Sequence, residues 1–274
     1  MAQAKRCYGL LVKDKVEVVV PLKNVSVSAQ LKGSLVGLLS TFSYKNETSD
    51  PLEVLFRFPV DESWAVVGLE AVIDGRRIRA EVKEKQEAKD MYDDALASGL
   101  TAALGEEKSG DIFSLALGNL PPQADAELQL IMVSELPLEA GSEAVRFSLP
   151  SVLKQRYTPA GSSDPLQPVS SSAPSQQVKQ SSAPAVNQFQ LIVKEKERVS
   201  SVTSPTHTVE VMEKEQGIEV TSGGPLDTDL VVLVTYKDPH QPWAVVEEGV
   251  EGSNSLMAST AVMVDFFPKF KVTQ

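Results

Sequence analysis

The chain of 274 residues carries one cysteine, two histidines and few aromatic residues, and it has no long apolar run. A single cysteine, Cys7, cannot close an internal disulfide, so the sequence is not a disulfide-stapled scaffold and fits a reducing compartment. Cys7 with His207 and His240 cannot supply the clustered ligands that zinc needs. Glycine-rich phosphate-binding motifs are also absent. No segment approaches the roughly 20 apolar residues that cross a bilayer as a helix. At the N-terminus, "CYGLLV" is interrupted by Lys13, Asp14 and Lys15, which leaves it too short for the core of a secretory signal. Lys and Arg number 26 against 37 Asp and Glu, a net charge of −11. That balance argues against nucleic acid and against anionic membrane surfaces as partners. The expected location is the cytoplasm, and the sequons at Asn24 and Asn46 are read as chance.

What is present is mostly β-strand pattern. In "NVSVSAQL", Val25, Val27, Ala29 and Leu31 fall on one face and Ser26, Ser28 and Gln30 on the other. In "LEVLFRFPV", Leu52, Val54, Phe56 and Phe58 alternate with Glu53, Leu55 and Arg57. Asp74-Gly75 is a hairpin signal between two short strands. Further strands are expected in "DIFSLALG", "AELQLIMVSEL" and "AVRFSLPSVL". One segment breaks the pattern. Ala88, Met91, Tyr92, Ala95 and Leu96 recur at helical spacing, which predicts an amphipathic helix at about 83–98 with Gly99 as its C-terminal stop.

Residues 158–187 are dominated by Ser, Pro, Gln and Ala, a composition that cannot offset the entropy of ordering. They read as a flexible linker. From Phe189 the β pattern resumes, with short strands at Val209–Val211, Ile218–Val220 and Leu230–Val234 and a last run from Ala261 to Phe267 that has nothing after it to pair with. The expected fold class is mainly β. Residues 1–157 form an antiparallel β-sandwich-like domain with one amphipathic helix, and 188–274 form a second, smaller β unit.

Catalytic constellations are scarce. A Cys–His dyad would have to join Cys7 to His207 or His240 across the linker. The acidic pairs Asp93-Asp94 and Glu106-Glu107 could serve a hydrolase if they met in one pocket, but sequence neighbours on a helix point apart, and a solvated face is the simpler reading. The expectation is no catalytic residue, no cofactor and no metal. Candidate contact residues for a protein partner are Trp64 and Trp243, plus Leu100 and Leu104 in the small-residue loop "SGLTAALGEE". The simpler reading of that loop is a strand or edge packing back on the sheet.

Several of these stretches, in order, resemble the VIT domain of vault-associated and inter-alpha-trypsin inhibitor heavy-chain proteins. They are the "FP" strand end, the "DG" hairpin, the Ala/Tyr/Ala/Gly helix, the "F…GNLPP" strand and turn, and the "SEL" strand end. The resemblance is strong over 7–157 and weaker over 188–268, where "SPTH" and "AVMVDFFP" are similar to the segment leading into a von Willebrand A domain. It implies a non-enzymatic protein-interaction module or scaffold, with an adjacent A domain in longer relatives. A secreted, matrix-associated protein of the heavy-chain kind is the alternative, and it would carry glycans at Asn24 or Asn46. The A domain's D-x-S-x-S motif, which supplies carboxylate and hydroxyl ligands to a cation, does not occur in this sequence, so metal-dependent adhesion is not carried over.

Overall fold

The computed structural model describes residues 9–13, 15–60, 63–79, 103–109, 112–139, 142–149, 186–224, 226, 228–252 and 258–268. The predicted helix at 83–98 lies outside them. So do Cys7, Asp93, Asp94, Leu100 and all but the last two residues of the 158–187 segment. Mainly β is the observed class.

The largest sheet has eight strands. It contains β3 (Leu22–Lys32), β4 (Leu35–Lys45), β6 (Trp64–Ile73), β7 (Arg76–Arg79), β10 (Asp125–Glu135), β12 (Gln188–Val193), β14 (Val209–Lys214) and β15 (Gly217–Ser222). Their order is β14-β15-β12-β3-β4-β10-β6-β7. Alternation in sequence becomes one buried face: Val25 pairs with Phe42 and Phe42 with Leu128, while Val27 sits beside Phe189 and Ala29 beside Leu191. The opposite face meets solvent, as a one-sided sheet should. At the far end, Asp74 and Gly75 have φ of 49° and 76°, the two left-handed residues of a primed hairpin turn, and Ile73 pairs with Arg76 across them.

Two smaller sheets cover the buried face. One has five strands in the order β2-β1-β5-β9-β8: β1 (Gly9–Val12), β2 (Lys15–Val19), β5 (Leu52–Pro59), β8 (Ala103–Ser109) and β9 (Ile112–Leu120). It packs through aromatic contacts, with Phe42 ring centroids 5.3 Å from Phe56 and 5.5 Å from Phe58. The other, β11-β16-β13, joins β11 (Ala144–Leu149), β13 (Val199–Thr203) and β16 (Leu230–Tyr236), and sets Phe147 5.9 Å from Phe189. One hydrophobic cluster runs through all three sheets.

The sequence places a linker at 158–187 with separate units on each side, yet the hydrogen-bonded sheets run across that position. β12 adds to β3 in parallel over six residue pairs, Gln188↔Ser26 to Val193↔Leu31. β11, expected as the last strand of the first unit, takes its sheet partner β16 from beyond the linker, and on its own side makes one isolated bridge, Val145 to Leu138. The reason lies in the edges. β3 and β11 each present an apolar, hydrogen-bonding edge, and among the described residues β12 and β16 from the C-terminal half pair along them. The last β run also has a partner, which precedes it: β18 (Ala261–Asp265) pairs antiparallel with β17 (Trp243–Glu247) to make a two-stranded sheet.

Candidate functional site

The β17–β18 hairpin sits on the turn between β3 and β4, at one end of the eight-stranded sheet. The seat begins with Gly33, whose φ of +60° is the left-handed conformation that the tight turn requires. A Cβ at Gly33 would lie 1.6 Å from Asp265 Oδ2 and 3.1 Å from the Trp243 ring, so glycine also makes room for the incoming hairpin. Asp265 is buried and accepts two hydrogen bonds from Ser34, from the backbone N–H at 3.0 Å and from the hydroxyl at 2.5 Å. Nearby, Lys32 Nζ reaches Glu247 at 2.6 Å. Each hairpin strand is thus tied to the same turn by a charged group, and charge-assisted bonds of this kind are the stronger class.

Three further side chains complete the seat. The Tyr236 hydroxyl donates to the Gly33 carbonyl at 2.8 Å, and burial pushes its pKa above the ordinary phenol range. Arg198 lies with its guanidinium carbon 4.4 Å from the Trp243 ring centroid and 5.4 Å from that of Tyr236. Such a cation–π contact is worth about 0.5–2 kcal/mol. Glu195, left-handed at φ 48°, has its carboxyl raised above the usual range, chiefly by desolvation. The Gly33 N–H, Lys32 and Arg198 act against that rise, and Asp265 adds to it. One oxygen of Glu195 and one nitrogen of Arg198 are buried without a hydrogen-bond partner among the described residues.

This arrangement holds a hairpin. No three His, Cys, Asp or Glu side chains gather as a metal site among the described residues. His240 binds the Phe267 carbonyl at 2.8 Å through Nδ1 and faces Glu143 at 3.3 Å, while His207 sits against the Thr206 and Thr228 hydroxyls.

The seat also fixes which way the hairpin faces. Trp243, Met263 and Asp265 point toward the turn, whereas Val246, Val262, Val264 and Phe266 point away and are 61, 64, 61 and 58% exposed. Val246 pairs directly with Val262, and the others follow at the two-residue period, so the four form one apolar face. Contiguous exposed apolar surface of this kind marks an interaction site.

The contact residues read from the sequence fall in different places. Trp243 is half-buried within the seat. Trp64 opens β6 and packs half-buried against the core; its partner across the ladder, Ser134, pairs on its other side with Val36, so both tryptophans lie at the same end of the sheet. Leu104 is on β8, the edge of the five-stranded sheet, together with Glu106 and Glu107. Gly33, Ser34, Glu195, Arg198, Tyr236 and Asp265 were not singled out from sequence. The signal that points to them is Asp265 itself, a lone carboxylate inside the apolar run "VMVDFF".

Asn46 bears on the secreted alternative. Its side chain is 0% exposed. It donates to the carbonyls of Asp50, Leu120 and Pro121 and accepts from the backbone N–H and hydroxyl of Thr48. A glycan on that nitrogen would break the turn joining β4 to β5, and the fold has no room for it.

The profile of the Vault protein inter-alpha-trypsin domain matches residues 22–132. Over 267 residues the chain is 35% identical to von Willebrand factor A domain-containing protein 5A of Homo sapiens, a match covering 93% of this chain and 33% of that protein. The Mus musculus protein of the same name is 34% identical over 270 residues, 95% of this chain and 33% of that one. Protein mono-ADP-ribosyltransferase PARP4 of Homo sapiens is 34% identical over 119 residues, 43% of this chain and 7% of that protein. The chain therefore spans about a third of the length of the 5A relatives.

Proposed function

We propose, from the match of residues 22–132 to the Vault protein inter-alpha-trypsin domain, that the chain is a non-enzymatic scaffold of the cytoplasm that holds a folded protein against the outer face of its β17–β18 hairpin. The observation that carries this reading is the apolar face of Val246, Val262, Val264 and Phe266, presented on a hairpin locked in place from behind. A two-stranded sheet is marginal by itself, so an anchored one with an uncovered apolar face is suited to be completed by another body. The occupant is a von Willebrand A domain, the module that names the 5A relatives, whose length is about three times the matched region. The cytoplasmic assignment is supported by the lone cysteine and by the burial of Asn46.

The test is a titration of the chain with the isolated A domain of the human 5A relative, followed by calorimetry and by amide exchange. Saturable binding with slowed exchange over 243–247 and 261–265 is expected. Changing Val262→Lys together with Val264→Lys, both solvent-facing, should weaken it at least about a hundredfold, the scale of two central apolar contacts. Equal affinity for the parent and the double variant would refute the site.

A further inference from the structure

A second surface without a described partner is the β14 edge of the eight-stranded sheet. Its backbone parity follows from the turn. Thr208 lies opposite Gly223, whose N–H donates to the Thr208 carbonyl at 3.3 Å, so Thr208 and every second residue after it bond to β15. Val209, Val211 and Glu213 therefore direct their N–H and C=O groups away from the sheet, and none has a backbone partner among the described residues. Many edge strands are blunted by a bulge, a proline or a covering loop. β14 has a continuous register with no proline, and five of its six residues are exposed.

The two faces of this edge differ chemically. On the core face, Val211 stands opposite the buried Val220 but is itself 44% exposed, so the apolar layer ends one strand short. On the solvent face, Met212 pairs with Glu219, which pairs in turn with Ile192. A cleft of about 310 Å³ opens at the end of that row, lined by Ile192, Lys214, Glu215, Gln216, Gly217 and Glu219. Glu210, Glu213 and Glu215 make no ion pair among the described residues; Lys214 lines the cleft, and Lys196 donates to the Lys214 carbonyl.

We propose that β14 accepts an extended segment of a partner protein as a ninth strand, and that the segment alternates apolar residues with Lys or Arg. Its apolar side chains continue the core layer beside Val209 and Val211. Its basic side chains lie beside Glu210, and one enters the cleft with its aliphatic stem along Ile192 and its head at Glu215 and Glu219. Backbone pairing provides affinity and alternation provides selectivity, as in strand addition generally. The proposal rests on the chain being an interaction module but uses a surface separate from the β17–β18 hairpin.

The experiment titrates the full chain with a labelled peptide of alternating valine and lysine. Controls are a peptide of the same composition in block order and the alternating peptide methylated on alternate backbone nitrogens. Only the alternating, unmethylated peptide is expected to bind, and more weakly as salt rises. Val211→Pro should reduce binding at least about tenfold, because it removes one outward hydrogen bond and crowds the edge. It spares the β15 ladder, since the Val211 N–H faces outward. The pair Glu210→Lys and Glu213→Lys should reduce binding similarly and provides the answer if the proline variant does not fold. Val262→Lys with Val264→Lys should leave peptide binding unchanged, which separates this site from the hairpin. Equal binding of the block-order peptide, undiminished binding by a folded Val211→Pro chain or by the lysine pair, or loss through the hairpin variant would overturn the proposal.

Discussion

Asp265 and Glu195 show how differently two carboxylates behave within one seat. Asp265 is buried yet receives both donors of Ser34, so its charge is matched by hydrogen bonds. Glu195 is less well served, and its net shift is upward, with desolvation as the leading cause. The folded chain therefore holds the Glu195 proton more tightly than the unfolded chain does. Below the ordinary carboxylate pKa both states are protonated and nothing is lost; as pH rises through the elevated folded value, ionisation costs stability. Glu195→Gln keeps an acceptor for the Gly33 N–H without the charge. The variant should match the parent in thermal midpoint near pH 4 and exceed it at pH 7. A midpoint difference that is flat across that range would show that Glu195 is not the strained group.

At the scale of elements, the β3–β4 turn and the β17–β18 hairpin depend on one another. The turn needs a left-handed residue, and the hairpin needs that residue to lack a side chain, so both demands fall on Gly33. Gly33→Ala adds a Cβ on top of Asp265 and imposes left-handed strain, a loss of about 1–3 kcal/mol by comparison with other such positions. The expected result is faster amide exchange across 243–247 and 261–265, with β4 and β10 retaining protection at Phe42 and Leu128. Uniform loss across all of these would mean that the hairpin is not a separately releasable element. β14 obeys the same logic from the opposite direction: it is held by β15 on one side and by nothing described on the other.

Considered whole, the molecule is organised by sheets that ignore the low-complexity stretch. Phe189, Leu191 and Val193 extend the buried face begun by Val27, Ala29 and Leu31, and Phe147 is held by a sheet whose other two strands come from beyond residue 198. A fragment ending at residue 157 would leave the β3 edge without β12 and β11 without its sheet partner β16, with the isolated Val145–Leu138 bridge left to it. It should lose the cooperative melting expected of the full chain or melt at a markedly lower temperature, measured by circular dichroism. A fragment that melts as sharply and as high as the parent would instead make the first 157 residues a self-sufficient domain.

Much of this was legible without coordinates, because alternation is local. Val25, Val27, Ala29 and Leu31 announce a half-buried strand wherever the partner lies, and Asp74-Gly75 declares its turn through backbone sterics alone. The likeness of residues 22–132 to the Vault protein inter-alpha-trypsin domain was legible for the same reason, being a sequence of local signals in fixed order. Pairing between distant strands was not, since an apolar edge states that it needs a neighbour without stating which one. Only the tertiary structure decided that β12 lies beside β3, that β16 completes β11, and that a lone aspartate in an apolar run closes on Ser34 across 231 positions of chain. The candidate site belongs to that second class. Its parts are a glycine turn, an arginine between two rings and a buried carboxylate, each ordinary in sequence and given meaning by being brought together.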